Sequence, residues 1–263
     1  MKYLRLALGF LTAIPVRTDA PQPGDLGRAA IWFPLIGFGL GVLLALAHLA
    51  FSLLFPSLLT AALTVALWAA ITGGLHLDGL ADCCDGLLAS ATPERRLEIM
   101  RDPRLGAFGV VGLVVFILLK VLAVASLPNL GIIVYSPFGL LNGLPNTYFP
   151  IGPFVAAVSV SRWLILPGAL QPQARSGGMG ADFARGLTIP VLALAALVPL
   201  AFLITGGVLG VWRLLIAIIL AHLVALIVIA FARARLGGVT GDVLGLTVEI
   251  TELITLLTFA ASP

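Results

Sequence analysis

The sequence predicts an all-α fold: a polytopic integral membrane bundle of about seven transmembrane helices, its N-terminus cytoplasmic, forming one domain over residues 1–263. Composition, the lengths of the apolar runs and the placement of the charges carry that reading. Hydrophobic residues make up 60% of the chain and charged residues 10%, whereas an ordinary soluble domain is roughly 25% charged. With 15 Lys and Arg against 12 Asp and Glu, the net charge of +3 comes without a dense basic run, which excludes a nucleic-acid surface. Cys83 and Cys84 are adjacent and have no further cysteines to join them, so they build neither a disulfide framework nor a zinc site.

At the N-terminus, Lys2 and Arg5 stand beside LALGFLTAIPV, and no convincing cleavage signature separates this stretch from the next apolar run. An interfacial amphipathic segment is expected there. A hydrocarbon core demands about 20 apolar residues per helix, and suitable runs occupy about 30–55, 57–75, 106–127, 148–167, 187–205, 208–231 and 243–260. Residues 129–147 are apolar but broken by Pro137, Gly139, Gly143 and Pro145, the pattern of a loop or re-entrant element. Basic residues fall in every second connection: Lys2, Arg5, Arg17 and Arg28, then Arg95, Arg96, Arg101 and Arg104, then Arg175 and Arg185, then Arg233 and Arg235. The alternate connections carry no charge. Because Lys and Arg gather on the cytoplasmic side, the polar chemistry is expected on that face.

The segment TGGLHLDGLADCCDGL places Asp78, Asp82 and Asp85 at spacings of four and three, on one face of a helix. Three such carboxylates repel one another unless a cation holds them, and oxygen-only ligands suit a hard ion such as Mg²⁺ or Mn²⁺. A solvated acidic face is the alternative. In LGGVTGDVLGLTVEITEL, Asp242, Glu249 and Glu252 also share a helix face. If that helix packs on the first, Asp78, Asp82, Asp85, Asp242 and Glu249 become candidate metal ligands. The alternative pairs Glu249 or Glu252 with Lys120, Arg162 or Arg213, the basic residues inside other spans. RRLEIMRDPRLG supplies Arg101 and Arg104, and ARSGGMG supplies Arg175 ahead of a glycine-rich loop. Arginine's planar fork suits phosphate, and with Arg162 and Glu252 these residues complete the candidate substrate-binding set. His76, two residues before Asp78, is a candidate to bind phosphate or move a proton near neutral pH. Walker A, G-x-S-x-G and H-E-x-x-H motifs are absent. Metal-assisted phosphoryl transfer at a cytoplasmic membrane face is the chemistry these residues suggest.

TGGLHLDGLADCCDG, RRLEIMRDPRLG, ARSGGMG and LGGVTGDVLGLTVEITEL, with FLTAIPV and FPLIG near the N-terminus, resemble the cobalamin synthase family, also called adenosylcobinamide-GDP ribazoletransferases. The likeness covers nearly the whole chain in order. It implies a multi-pass enzyme of the bacterial inner membrane that joins adenosylcobinamide-GDP to α-ribazole, or its 5′-phosphate, giving adenosylcobalamin, or its 5′-phosphate, and GMP, with Mg²⁺ as cofactor. His76, Gly79, Asp78, Asp82, Asp85, Gly238, Gly241, Asp242, Glu249 and Glu252 match the family motifs. Cys83, Pro103 and Ala107-Phe108 depart from the usual residues without removing a ligand, and 131–153 looks like an insertion. The implied mechanism has the ribazole 5′-hydroxyl attacking the cobinamide-linked phosphorus while Asp82 accepts its proton. A CDP-alcohol phosphotransferase is the rival enzyme, although its motif order differs. An ion or proton transporter is the rival of another class, and a homo-oligomer stays open.

Overall fold

The structure, a computed structural model, describes residues 1–18, 20–127, 151–175, 177, 179–208 and 212–261. Among these the regular structure is helical, apart from one parallel bridge between Gln173 and Val239. The expected interrupted element at 129–147 lies outside the described residues.

Helix α1 (Lys2–Leu11) buries Ala7 and Leu11 and leaves its basic residues outward, as an interfacial amphipathic helix should. The short α2 (Asp25–Ala29) runs through a 3-10 turn into α3 (Phe33–Ser52), and together they form a span of 28 residues. Next come α4 (Ser57–Thr72), α5 (Leu75–Leu88), the short α6 (Pro93–Ile99), and α7 (Ala107–Ala125). After the central connection follow α8 (Ile151–Ala169), α9 (Met179–Gly186), α10 (Ile189–Ala195), α11 (Leu197–Val208), α12 (Trp212–Leu236) and α13 (Gly241–Ala260).

Among the described residues, five helices are long and apolar enough to cross a membrane, rising to seven if two bent pairs each count as one span. The two bent pairs fall where the sequence suggested the second and fifth spans. α4 turns through 94° into α5, and the α9 segment turns through 93° into the helices that follow. At the first bend Gly73 and Gly74 both hold left-handed φ, 63° and 68°. Gly74 N–H donates to the Ala69 carbonyl at 3.0 Å and Gly73 N–H to that of Ala70 at 3.2 Å, closing α4 with the paired bonds of a Schellman motif. Side chains with a Cβ resist that conformation, so the two glycines are what let α5 leave the direction of α4.

Helices α8 and α13 form the centre: 78% and 67% of their spans are buried, against 28% for α7 and α12. Outward residues of the latter pair, such as Val111, Leu118, Leu223 and Ile227, are large and apolar, as a lipid-facing surface requires. The interior also contains a charged layer. Lys120 of α7 donates from Nζ to Glu249 Oε2 at 2.8 Å and to Glu252 Oε2 at 2.6 Å, both on α13. Arg162 of α8, wholly buried, pairs with Glu252 as well. Lys120 Nζ also lies 4.0 Å from the centroid of the Trp68 ring. Two cations thus meet two anions, which offsets the cost of placing each in a low dielectric.

Candidate active site

The site lies at the end of the bundle where α7 and α13 begin. Helix α5 crosses that end, outside the spans, and three contacts fix it there. Asp85 accepts from Gly106 N–H at 2.7 Å and Gly109 N–H at 2.8 Å, filling the free donors of the first turn of α7. Gly79 sits against the start of α13 so closely that a Cβ there would come 2.8 Å from the Asp242 carbonyl oxygen. Arg96 of α6, buried, donates to the Gly86 and Leu87 carbonyls at 3.2 and 2.6 Å, closing the other end of α5.

That placement brings Asp78 and Asp82 of α5 beside Asp242. Thr240 caps α13, its Oγ1 accepting from Val243 N–H at 3.3 Å, and the same hydroxyl donates to Asp242 Oδ2 at 3.2 Å. The loop before α13 is stitched to the loop after α8: Ala174 N–H donates to the Val239 carbonyl at 2.9 Å and Val239 N–H to that of Pro172 at 2.8 Å. This pairing carries Arg175 to 3.7 Å from Asp242 Oδ2, while its Nη2 donates to the Leu97 carbonyl at 3.2 Å. Asp82 is half-buried, and its carboxyl is pushed up to about 7, first by burial and then by Asp78, Asp242 and Asp85. His76 is buried and its Nε2 has no hydrogen-bond partner. Burial, with the Arg162 and Lys120 cations beyond it, holds the ring well below the usual histidine range, so it is neutral.

Between these groups lies a cavity of about 270 Å³. His76, Asp78, Arg175 and Asp242 line its polar part, and Phe10, Leu26, Ile165, Phe183 and Leu244 line the remainder. Phe10 and Phe183 belong to a stack with Phe33 between them, each pair of ring centroids 5.6 Å apart.

The structure therefore gathers Asp78, Asp82, Asp242, His76 and Arg175, and it relocates the other candidates. Glu249, expected among the metal ligands, is bound to Lys120 in the bundle interior. Seven residues on a helix rise about 10 Å, which separates Glu249 from Asp242 although they share a face. Arg162 and Glu252, expected at the substrate, form the buried pair described above, the alternative the sequence left open. Asp85 has both oxygens committed to α7. Arg104 grips Asp102 from an exposed loop, Nε and Nη2 donating at 2.9 and 2.7 Å. Arg101 is exposed, close enough for its charge to bear on Arg175. His76 lacks the charge for binding phosphate as a cation.

Sequence reasoning passed over Asp25, Asp182 and the aromatic stack. Asp25, buried, pairs with Lys2 at 2.6 Å and Arg28 at 3.4 Å, and Asp182 accepts from Gly24 N–H at 3.0 Å. These contacts tie α1, α2 and α9 around the cavity. With so few acids in the chain, each one outside the two motifs was itself a signal.

Among the described residues, no group of three or more His, Cys, Asp or Glu side chains is arranged to hold a metal ion unaided. Mg²⁺ does not require one, since it keeps several waters and is commonly held by one or two carboxylates plus substrate phosphates. Asp78 and Asp242, which both line the cavity, fit that donor set.

The family model described as cobalamin-5-phosphate synthase (CobS) matches residues 3–260. The chain belongs to that family. Among similar relatives, adenosylcobinamide-GDP ribazoletransferase of Pseudomonas aeruginosa is 38% identical, the alignment covering 99% of this chain and 98% of the relative. Proteins of the same name from Desulfitobacterium hafniense and Deinococcus radiodurans are 38% and 36% identical. Those alignments cover 98% and 97% of this chain and 96% and 84% of the relatives. No solved structure matches. For a cobalamin-5-phosphate synthase, the site described above is the described cavity that combines acids, an arginine and room for a small ligand.

Proposed function

We propose that this cavity carries out the transfer named in the relatives: adenosylcobinamide-GDP and α-ribazole, or its 5′-phosphate, are joined with release of GMP, a late step of cobalamin biosynthesis. The observation that carries the assignment is the meeting of Asp78, Asp242 and Arg175 around one cavity at the end of the bundle, with Asp82 close enough to feel both acids. All the charged connections described gather at that same end, and the positive-inside bias supports reading it as the cytoplasmic face, in a bacterial inner membrane by this proposal.

Asp78 and Asp242 would hold Mg²⁺, which when bound would supply neutralisation of charge on the phosphate oxygens. Arg175 has a guanidinium fork facing the cavity, suited to a pyrophosphate oxygen pair. A ribose hydroxyl of the acceptor attacks the phosphorus linked to cobinamide, forming a new P–O bond, and the bond to GMP breaks. An acceptor that enters and leaves with a 5′-phosphate keeps its 5′ oxygen occupied, so the nucleophile is another ribose hydroxyl, in correction of the expectation from sequence. Asp82, titrating near neutrality, is suited to take the hydroxyl proton. Neutral His76 orients the acceptor through Nε2. The buried charges that invited a transporter reading neutralise one another.

The test is GMP release by protein reconstituted in vesicles with both substrates, with and without Mg²⁺. Asp78→Asn is expected to lower turnover by about 10²-fold or more, as losses of directly acting groups do, while helicity and insertion stay unchanged. Near-normal turnover in that variant would contradict the assignment.

A further inference from the structure

We propose that the apolar part of the cavity, walled by Phe10, Phe183 and Leu26, binds the flat heterocycle of the acceptor nucleoside. By this assignment neither the guanine of the activated donor nor the corrin ring occupies it. The inference rests on the transferase reading above and assigns which part of which substrate enters.

Size excludes the corrin. At about 270 Å³ the cavity lies at the lower edge of small-molecule sites, which run to about 1,000 Å³. A corrin macrocycle with its amide side chains needs far more, so it stays outside the mouth. Three flat bases remain, the adenine of the adenosyl group, guanine and the base of the acceptor, and hydrogen-bonding capacity separates them: adenine's exocyclic amine and ring nitrogens need partners as guanine's groups do. Guanine presents a carbonyl oxygen, a ring N–H, an exocyclic amine and N7. Beyond the charged end the walls offer Phe10, Leu26, Ile165, Phe183 and Leu244, and the polar side chains Gln173 and Thr240 have their donors committed to the Ala169 and Gln171 carbonyls and to Asp242. Buried polar groups left unpaired cost about 1–3 kcal/mol each. The benzimidazole of α-ribazole is mostly hydrocarbon, with one ring nitrogen free to accept.

Among the described residues, two polar side-chain atoms of the cavity's polar end lack a hydrogen-bond partner, Arg175 Nε and His76 Nε2. His76 is 4% exposed, lines the cavity and has an unbonded Nε2, which matches the base's single acceptor if the proton sits on that nitrogen. The wall itself is rigid: Phe33, wholly buried, is sandwiched between Phe10 and Phe183 with interplanar angles of 14° and 9°. A base held there leaves its ribose directed toward Asp78, Asp242 and Arg175 at the polar end.

Ala181 also lines the cavity, so Ala181→Leu narrows it without touching an acid. Each substrate is varied in turn while GMP release is followed. The KM for α-ribazole should rise about tenfold or more, the scale on which apolar pockets discriminate methylene groups. The KM for adenosylcobinamide-GDP should stay within about twofold. A rise confined to the donor, or no change, would overturn the assignment. Should the variant misfold, wild-type protein gives the same answer: 5,6-dimethylbenzimidazole should compete with α-ribazole and not with the donor. Competition between guanosine and α-ribazole would overturn it. Absence of GMP release by wild-type protein would instead defeat the transferase reading, keeping the two failures distinct.

Discussion

At the scale of residues, Asp82 shows what the acidic face demands without a cation. Its carboxyl, ordinarily near 3.8, is raised to about 7 in the fold. The folded state therefore binds more protons than the unfolded one between those values, and stability falls as pH rises through that window. Asp82→Asn removes this liability. In chelator, its melting temperature should exceed that of the wild type at pH 8 and approach it at pH 4, a contrast that thermal unfolding at the two pH values measures. A variant with no pH-dependent gain would mean that the carboxyl is not under this strain. The four and three spacing made Asp78 and Asp82 legible in the sequence. The fate of Asp85 was not, because its partners are backbone groups at Gly106 and Gly109, 21 and 24 residues away. Periodicity aligns Glu249 with Asp242 as well, yet says nothing of the rise that parts them.

Between elements, the approach of α5 to α13 depends on there being no side chain at Gly79. Gly79→Val should push the helices apart, costing about 1–3 kcal/mol as overpacking does. Turnover should fall by more than that loss of stability explains, because Asp78 and Asp82 move away from Asp242. Comparing kcat with Tm in one preparation checks this. In the bundle, Glu252→Gln leaves Arg162 and Lys120 short of an anion, and destabilisation of about 3–5 kcal/mol is expected. Adding Arg162→Met should restore most of it, as equilibrium unfolding in detergent would show. Apolar length located the long spans well. It found the bent ones without their bends: 57–75 ends at a glycine pair in the left-handed region, and 187–205 follows a 93° bend and is divided between α10 and α11. Hydropathy averages over such joints and cannot register a change of direction.

Across the whole molecule, the sidedness of the charges predicts where water-soluble reagents reach. With Cys83→Ala and Cys84→Ser as background, a cysteine at Glu94 should be labelled from the cytoplasm and one at Leu54, in the uncharged α3–α4 turn, from outside. Labelling of both from one side would reverse or break the topology. The charged layer also bears on how the chain is made. Lys120 and Arg162 are synthesised 132 and 90 residues before the Glu252 they require, and each costs about 2.5–3.5 kcal/mol alone at mid-membrane. Until α13 leaves the ribosome, α7 and α8 hold cations that lipid rejects. Those helices must wait at the insertion machinery, shelter beside one another or draw in water. The later arrival of α13 thus licenses the release of the earlier helices into the bilayer, and a nascent chain cut short of it would be recognisably unpaired to quality control.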